Sequence, residues 1–195
     1  MPPVESTMLA IGTAAPDFSL PAPDGTTHTL ASCRGESGLL VAFICNHCPY
    51  VKHVFEELTR LGSELPPQGL GMVGIMSNDI ERYPDDGPEK MAETAQANHW
   101  SFPYLVDADQ SVAHAYKASC TPDFYLFDAG GKLVYRGQLD DSRPKSVIPV
   151  DGTHLRQAIG NLLMGEPPVK QQRPSLGCSI KWIPGKEPEW SPTPA

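Results

Sequence analysis

The 195-residue sequence predicts an α/β fold, a mixed sheet flanked by helices, with an N-terminal β-hairpin and an extended proline-rich C-terminal tail. Three observations carry this. Two unbroken apolar runs of strand length, Leu39 to Ile44 and Leu70 to Met76, are each followed by residues with helical spacing. A glycine-turn hairpin, Phe124 to Arg136, precedes a last amphipathic helix. Prolines then recur at 167, 168, 174, 184, 188, 192 and 194, which no folding unit of regular structure would carry.

In chain order, residues 1–11 hold two prolines and little periodicity and read as a loose arm. A folded unit is expected over 12–165 and an extension over 166–195. Residues 17–30 alternate apolar and polar around Pro23-Asp24-Gly25, a turn in which glycine supplies positive φ, so a hairpin is expected there. The following loop, Ala31 to Ser37, contains Cys33, read as incidental, and His28 reads as a surface strand residue. After the first buried strand, Val51, Val54, Phe55 and Leu58 share one helical face, and Gly62 with Pro66-Pro67 announces the end of that helix. His53 on this helix reads as a surface residue.

The second strand, Leu70 to Met76, leads into a polar loop ending at Pro88-Glu89, a suitable helix start for Lys90 to Asn98. Asp79, Glu81, Asp85 and Asp86 in that loop include candidates for a proton relay, but a run of loop acids reads more simply as a solvated face. A short strand Tyr104 to Val106 and a short helix Ser111 to Tyr116 follow, with Asp107 and Asp109 as capping and turn residues. Phe124 to Phe127 and Leu133 to Arg136 pair across Asp128-Ala129-Gly130-Gly131. The charged loop Asp140 to Pro149 precedes the final helix, Thr153 to Leu163, for which Thr153 is the expected cap and Gly165 the stop. Within the tail, Ser175 to Trp182 carries apolar residues that a free extension does not need, so partial docking around 175–182 is expected.

The formal charge of −8 argues against a nucleic-acid partner, because phosphate binding needs a basic face. No apolar stretch approaches the ~20 residues of a membrane-spanning helix, and Met1 to Ile11 lacks the pattern of a signal peptide. A cytoplasmic location with no membrane partner is therefore expected. In a reducing compartment a C-x-x-C reads as catalytic before structural, and five cysteines cannot all pair within one chain.

The residues that carry chemistry are Cys45-Asn46-His47-Cys48-Pro49, at the junction of strand and helix. If Cys45 begins the helix, its sulfur lies beside free backbone N–H groups and the positive end of the dipole, which favours the thiolate. Cys48 then falls on the same face, within disulfide reach, and Pro49 is tolerated in the first turn. His47 is expected to stabilise the Cys45 thiolate and so the reduced pair, and Asn46 to support the same loop. Zinc is disfavoured because Cys33, Cys120 and Cys178 are scattered singly rather than paired. Far downstream, Thr121-Pro122 stands directly before an apolar run, where a proline need not donate to a ladder and is a candidate cis bond near a site.

CNHC after a buried strand, then TPDFYLF and the GKLVYRG hairpin, resemble the thioredoxin-like superfamily. The lead-in APDFSLPAPDGTTHTL resembles its redoxin (AhpC/TSA-like) branch, over roughly residues 12 to 164. The resemblance implies a thiol-disulfide oxidoreductase with no cofactor, in which Cys45 is the nucleophile, Cys48 resolves it, and Pro122 is a cis-proline opposite the pair. It also implies that the Thr121 backbone pairs with an incoming substrate strand. The expected partners are a protein or small-molecule disulfide or thiol substrate and an electron donor or acceptor. Cys120, two residues before Pro122, and Cys178 in the tail are possible third thiols. Two other readings stay open. One is a peroxiredoxin-like peroxidase, although Val41 to Ile44 replace the Pro and Thr that such chemistry places before its cysteine. The other is a non-enzymatic copper-binding role for Cys45, Cys48 and a histidine. The Leu39 to Ile44 strand also lacks the buried aspartate that thioredoxin keeps, so no general base is identified.

Overall fold

Two apolar faces of one strand set the architecture. In the structure, a computed structural model that describes residues 3–191, the strand β4 (Gly38–Phe43) is buried at every residue and lies at the centre of a five-stranded sheet. Leu40, Ala42 and Ile44 point into one core; Leu39, Val41 and Phe43 point into the other. That explains why its apolar run is unbroken rather than alternating: a strand covered on both sides has no solvent face.

On one flank β4 pairs in parallel with β5 (Leu70–Met76), with Val41 opposite Val73, and β5 in turn with β6 (Tyr104–Val106). On the other it pairs antiparallel with β8 (Asp123–Asp128), with Val41 opposite Tyr125, and β8 with β9 (Leu133–Gly137). The β8–β9 turn rests on Gly131, whose φ of 73° a side chain would resist, and on the Asp128 carboxylate, which accepts from Lys132 N at 2.8 Å. The sheet is mixed, as expected.

The first core is covered by helices α2 (Pro49–His53), α3 (Phe55–Glu64), α4 (Pro88–Ala97) and α6 (Thr153–Leu163), which contribute Val51, Leu58, Leu61, Met91, Leu155 and Ile159. The second is covered by α1 (Leu30–Cys33), α5 (Ser111–Ala115) and the hairpin β2 (Ser19–Pro21) with β3 (Thr27–Thr29), and it includes Ile180 and Trp182 from the C-terminal segment. Buried Asp107 caps α5, accepting from Val112 N at 3.2 Å and Ala113 N at 2.8 Å.

Several boundaries differ from the sequence expectation. The helix after the cysteines is two helices: at Val54 the backbone leaves the helical region (φ −109°, ψ 10°), its N–H bonds Val51 O at 3.0 Å, and α3 starts afresh. Cys33 lies not in a loop but in α1, where Thr29 and Ser32 form a reciprocal capping box. Thr153 does not cap α6; Gly152 does so with φ 66°, while the Asp140 carboxylate accepts from Asp151 N and Gly152 N at 2.9 and 2.8 Å.

The N-terminal end differs from a loose arm, and the tail, expected to dock in part around 175–182, forms a strand there. β1 (Val4–Glu5) pairs with β10 (Leu176–Ser179), and β10 pairs with β7 (Cys120–Thr121), so both ends close over the strand that leads into Pro122. Residues 1–2 of the expected arm, and Pro192 and Pro194 of the tail, lie outside the described residues. No helix among the described residues is long and apolar enough to cross a membrane.

Candidate active site

β4 ends at Phe43, and Ile44 N still bonds Ile75 O at 3.0 Å, so Cys45 leaves directly from a pinned strand end. Residues 46 and 47 are irregular, Cys48 is the N-cap of α2, and Pro49, exposed, takes the first helical position. The helix therefore begins after the second cysteine and not at Cys45. The carbonyl of Cys48 accepts from Val51 N and Lys52 N at 3.1 and 3.0 Å, so the positive end of this short helix faces Cys48 and not Cys45. Nor is Cys45 the exposed thiol that the sequence suggested: it is 1 % exposed and Cys48 0 %, because β7 and β10 lie over them.

Both sulfurs converge on Thr121. Cys45 Sγ is 3.5 Å from Thr121 Oγ1, and Cys48 Sγ is 3.2 Å from Thr121 O. The Thr121-Pro122 peptide is cis, and both residues are buried. All five cysteines are free thiols. The electrostatics reverse the sequence expectation. The Cys45 thiol is held well above its ordinary value of 9.0 by its contact with Cys48, then by burial and by the negative charge of Asp86. The Cys48 thiol is drawn far down, to about 2, first by its contact with the Cys178 thiol and then by that with Cys45, against the penalty of burial. A hydrogen bond with Thr121 adds to that descent, and Thr121 O lies 3.2 Å from the Cys48 sulfur. Of the three sulfurs, Cys48 is the one whose anion the surroundings favour, while those of Cys45 and Cys178 are disfavoured.

His47 does not direct its ring at Cys45. Its Nδ1 is 2.6 Å from Asp86 Oδ2, and its ring stacks on Tyr83 at 5.6 Å between centroids. Asp86, in the loop read as a solvated face, is 0 % exposed. Its carboxylate accepts from Asn46 N at 2.8 Å, His47 N at 3.2 Å and Asn78 Nδ2 at 2.7 Å. Burial pushes its pKa up, but hydrogen bonds from His47 and then Asn78 outweigh this and hold it below the usual 3.8. The same bond raises His47 above 6.5 against its own partial burial. Asn46 is stitched in completely: Nδ2 donates to Asp85 O at 2.9 Å, and Oδ1 accepts from Tyr104 OH at 3.1 Å. The loop between the cysteines is thus moulded on one buried anion, which sequence reasoning named only among four loop acids. Nothing local separates Asp86 from its neighbour Asp85.

Cys120 is 0 % exposed, its sulfur donates to Pro122 O at 3.9 Å, and burial raises its thiol. Cys178 instead packs on the core that contains Cys45 and Cys48. For a metal, Cys45, His47 and Asp86 offer one donor atom each within 4.8 Å of one another. Two of those donors are already bound to each other in the His47–Asp86 ion pair, which an ion would have to break.

A family model described as AhpC/TSA family matches residues 11–136. A crystal structure of an uncharacterized conserved protein from Geobacillus kaustophilus is similar, with a TM-score of 0.92 and 51 % identity, covering 94 % of this chain and 98 % of that one. Thiol-disulfide oxidoreductase ResA of Geobacillus thermodenitrificans is 28 % identical over 129 residues, which are 66 % of this chain and 70 % of that protein. A putative peroxiredoxin of Mycobacterium tuberculosis is 32 % identical over 143 residues, covering 67 % of this chain and 85 % of that protein.

Proposed function

The chain belongs to the AhpC/TSA family, and on that premise we propose that it is a thiol-disulfide oxidoreductase cycling Cys45 and Cys48 between dithiol and disulfide. One observation carries the reading: the two thiols of a C-x-x-C touch each other and converge on a single residue, Thr121, beside a cis-proline. Two adjacent sulfurs can take up and release an electron pair as a disulfide. Within the pair Cys45 is the attacking and Cys48 the resolving sulfur, the roles that the family resemblance assigns. His47 and Asp86 set the charge beside the pair, and Asn46 and Pro49 hold the loop and start the helix. Relatives named as thiol-disulfide oxidoreductases support a thiol or disulfide substrate. The proposed setting is a reducing compartment such as the cytoplasm, in which the dithiol form is the resting state.

A peroxidase reading has the relative named as a putative peroxiredoxin in its favour. Against it stands the environment of Cys45, which has the Asp86 carboxylate and the Cys48 thiol near it where peroxide cleavage calls for cationic stabilisation.

The test uses insulin as the protein disulfide. Cys45→Ser should abolish its reduction, and Cys48→Ser should accumulate a covalent adduct with insulin. Normal turnover by Cys48→Ser would remove the resolving role. Fast consumption of hydrogen peroxide by the reduced protein, lost in Cys45→Ser, would put the peroxidase reading first.

A further inference from the structure

The C-terminal strand occupies the edge at which an incoming substrate strand would pair. β10 sets Cys178 opposite Thr121 and Ser179 opposite Cys120, while its other edge pairs Gly177 with Val4. The approach is closer than any other residue type allows, since a Cβ on Gly177 would run into the Thr121 carbonyl and the Pro122 nitrogen. Helix α2, which Cys48 caps, packs against β10. Thr121 is therefore the hub of three thiols: its hydroxyl meets Cys45, its carbonyl meets Cys48, and its backbone faces Cys178.

Exposure separates the three. Cys45 and Cys48 are sealed at 1 % and 0 %, whereas Cys178 is only partly buried. A disulfide between the first two has no direct contact with an external thiol; the sulfur beside it that has one is Cys178.

We propose, resting on the thiol-disulfide reading, that Cys178 is a third redox thiol that carries exchange between the buried pair and the outside. In the form with a Cys45–Cys48 disulfide, the Cys178 sulfur attacks Cys48 Sγ. The bond from Cys48 to Cys45 breaks, the bond from Cys48 to Cys178 forms, and Cys45 leaves as a thiolate that takes up the proton lost by Cys178. One disulfide and one thiol enter the step, and one of each leave it. An external dithiol then attacks Cys178, expelling Cys48, and its second sulfur closes on the first to release an oxidised dithiol and three reduced cysteines. In the reduced protein the contact with Cys48 and then burial raise the Cys178 thiol, and the positive charge of Lys181, three residues on, offsets part of that rise.

Disulfide mapping tests this. The reduced full-length protein is oxidised with oxidised glutathione, blocked with an alkylating reagent, digested without reduction and read by mass spectrometry. The wild type should yield two linked species, Cys45–Cys48 and Cys48–Cys178. Cys45→Ser should yield only the second. Cys178→Ser should lose the second and keep the first, and so should Gly177→Val, which keeps all three cysteines but drives β10 off Thr121. With insulin as substrate, Cys178→Ser should then lose most of its turnover.

A wild-type map with Cys45–Cys48 alone, together with no link in Cys45→Ser, would overturn the relay while leaving the oxidoreductase reading intact. Undiminished turnover by Cys178→Ser with faster turnover by Gly177→Val would overturn it too, making β10 a lid. If no disulfide forms at Cys45 or Cys48 in the wild type, the underlying reading fails and the relay with it. The wild-type map needs no substitution, so a variant that fails to fold does not block the decision.

Discussion

Removing the Asp86 carboxylate tests the claim that one buried anion shapes the cysteine loop. In Asp86→Ala, Asn46 N, His47 N and Asn78 Nδ2, held at 2.8, 3.2 and 2.7 Å, lose their acceptor together, as does His47 Nδ1 at 2.6 Å, whose partly exposed ring can turn to water. A buried donor left unpaired costs about 1–3 kcal/mol. Here the open groove lined by Asn46, His47 and Asp85 lets water reach the gap, which favours the low end for each and a total of about 3 kcal/mol. For a chain of this size, about 3 kcal/mol lowers the melting temperature by roughly 6–12 °C. Asp86→Asn keeps the shape and one acceptor oxygen and should lose about half as much.

The pH dependence has a definite sign. The Asp86 pKa is depressed in the fold, so its contribution is in place above the ordinary 3.8 and is lost as pH falls through the lower folded value. The His47 pKa is raised, so its contribution is in place below the ordinary 6.5 and is lost as pH rises through the higher folded value. The gap between wild type and Asp86→Ala, read by urea denaturation across pH, should therefore be widest between 3.8 and 6.5 and narrow on both sides. A loss below about 1 kcal/mol at the maximum, or a gap that does not change with pH, would refute the reasoning.

The remaining predictions concern the surroundings of the pair. His47→Gln leaves Asp86 without its cationic partner and its negative charge uncovered beside Cys45. The reduced pair should become less favoured and the reduction potential, measured against a glutathione buffer, more negative; an unchanged potential would reduce His47 to a spacer. Glu57, 1 % exposed, clamps α3 to α6 by accepting from Arg156 Nε at 2.5 Å and Arg60 Nε at 2.6 Å. Both arginines keep access to water, so Glu57→Ala should cost only about 1–2 kcal/mol in urea denaturation, well short of a fully buried pair. Asp140→Ala frees the N–H groups of Ser142, Asp151 and Gly152, and should speed amide exchange at the start of α6 with little effect on the Cys45–Cys48 couple.

Sequence alone determined what depends on neighbours along the chain. The apolar run of β4 is readable because a strand buried on both faces needs one, and the β8–β9 hairpin is readable because its turn needs Gly131. The stripe of α6 follows from helical period, and the C-x-x-C pair follows from spacing. The charge of the site was not readable in this way, because it is made by contacts between residues far apart in sequence. Asp86 meets His47 across 39 positions, and Cys178 lies over Cys48 across more than a hundred. Only the tertiary structure decided that Cys48 caps α2, that the chain ends seal the pair, and that the surroundings favour an anion at the second sulfur over the first. The physical reason is that a pKa is a property of the surroundings, and here those surroundings are supplied by a loop acid and a C-terminal strand, neither of which carries a local mark of its destination.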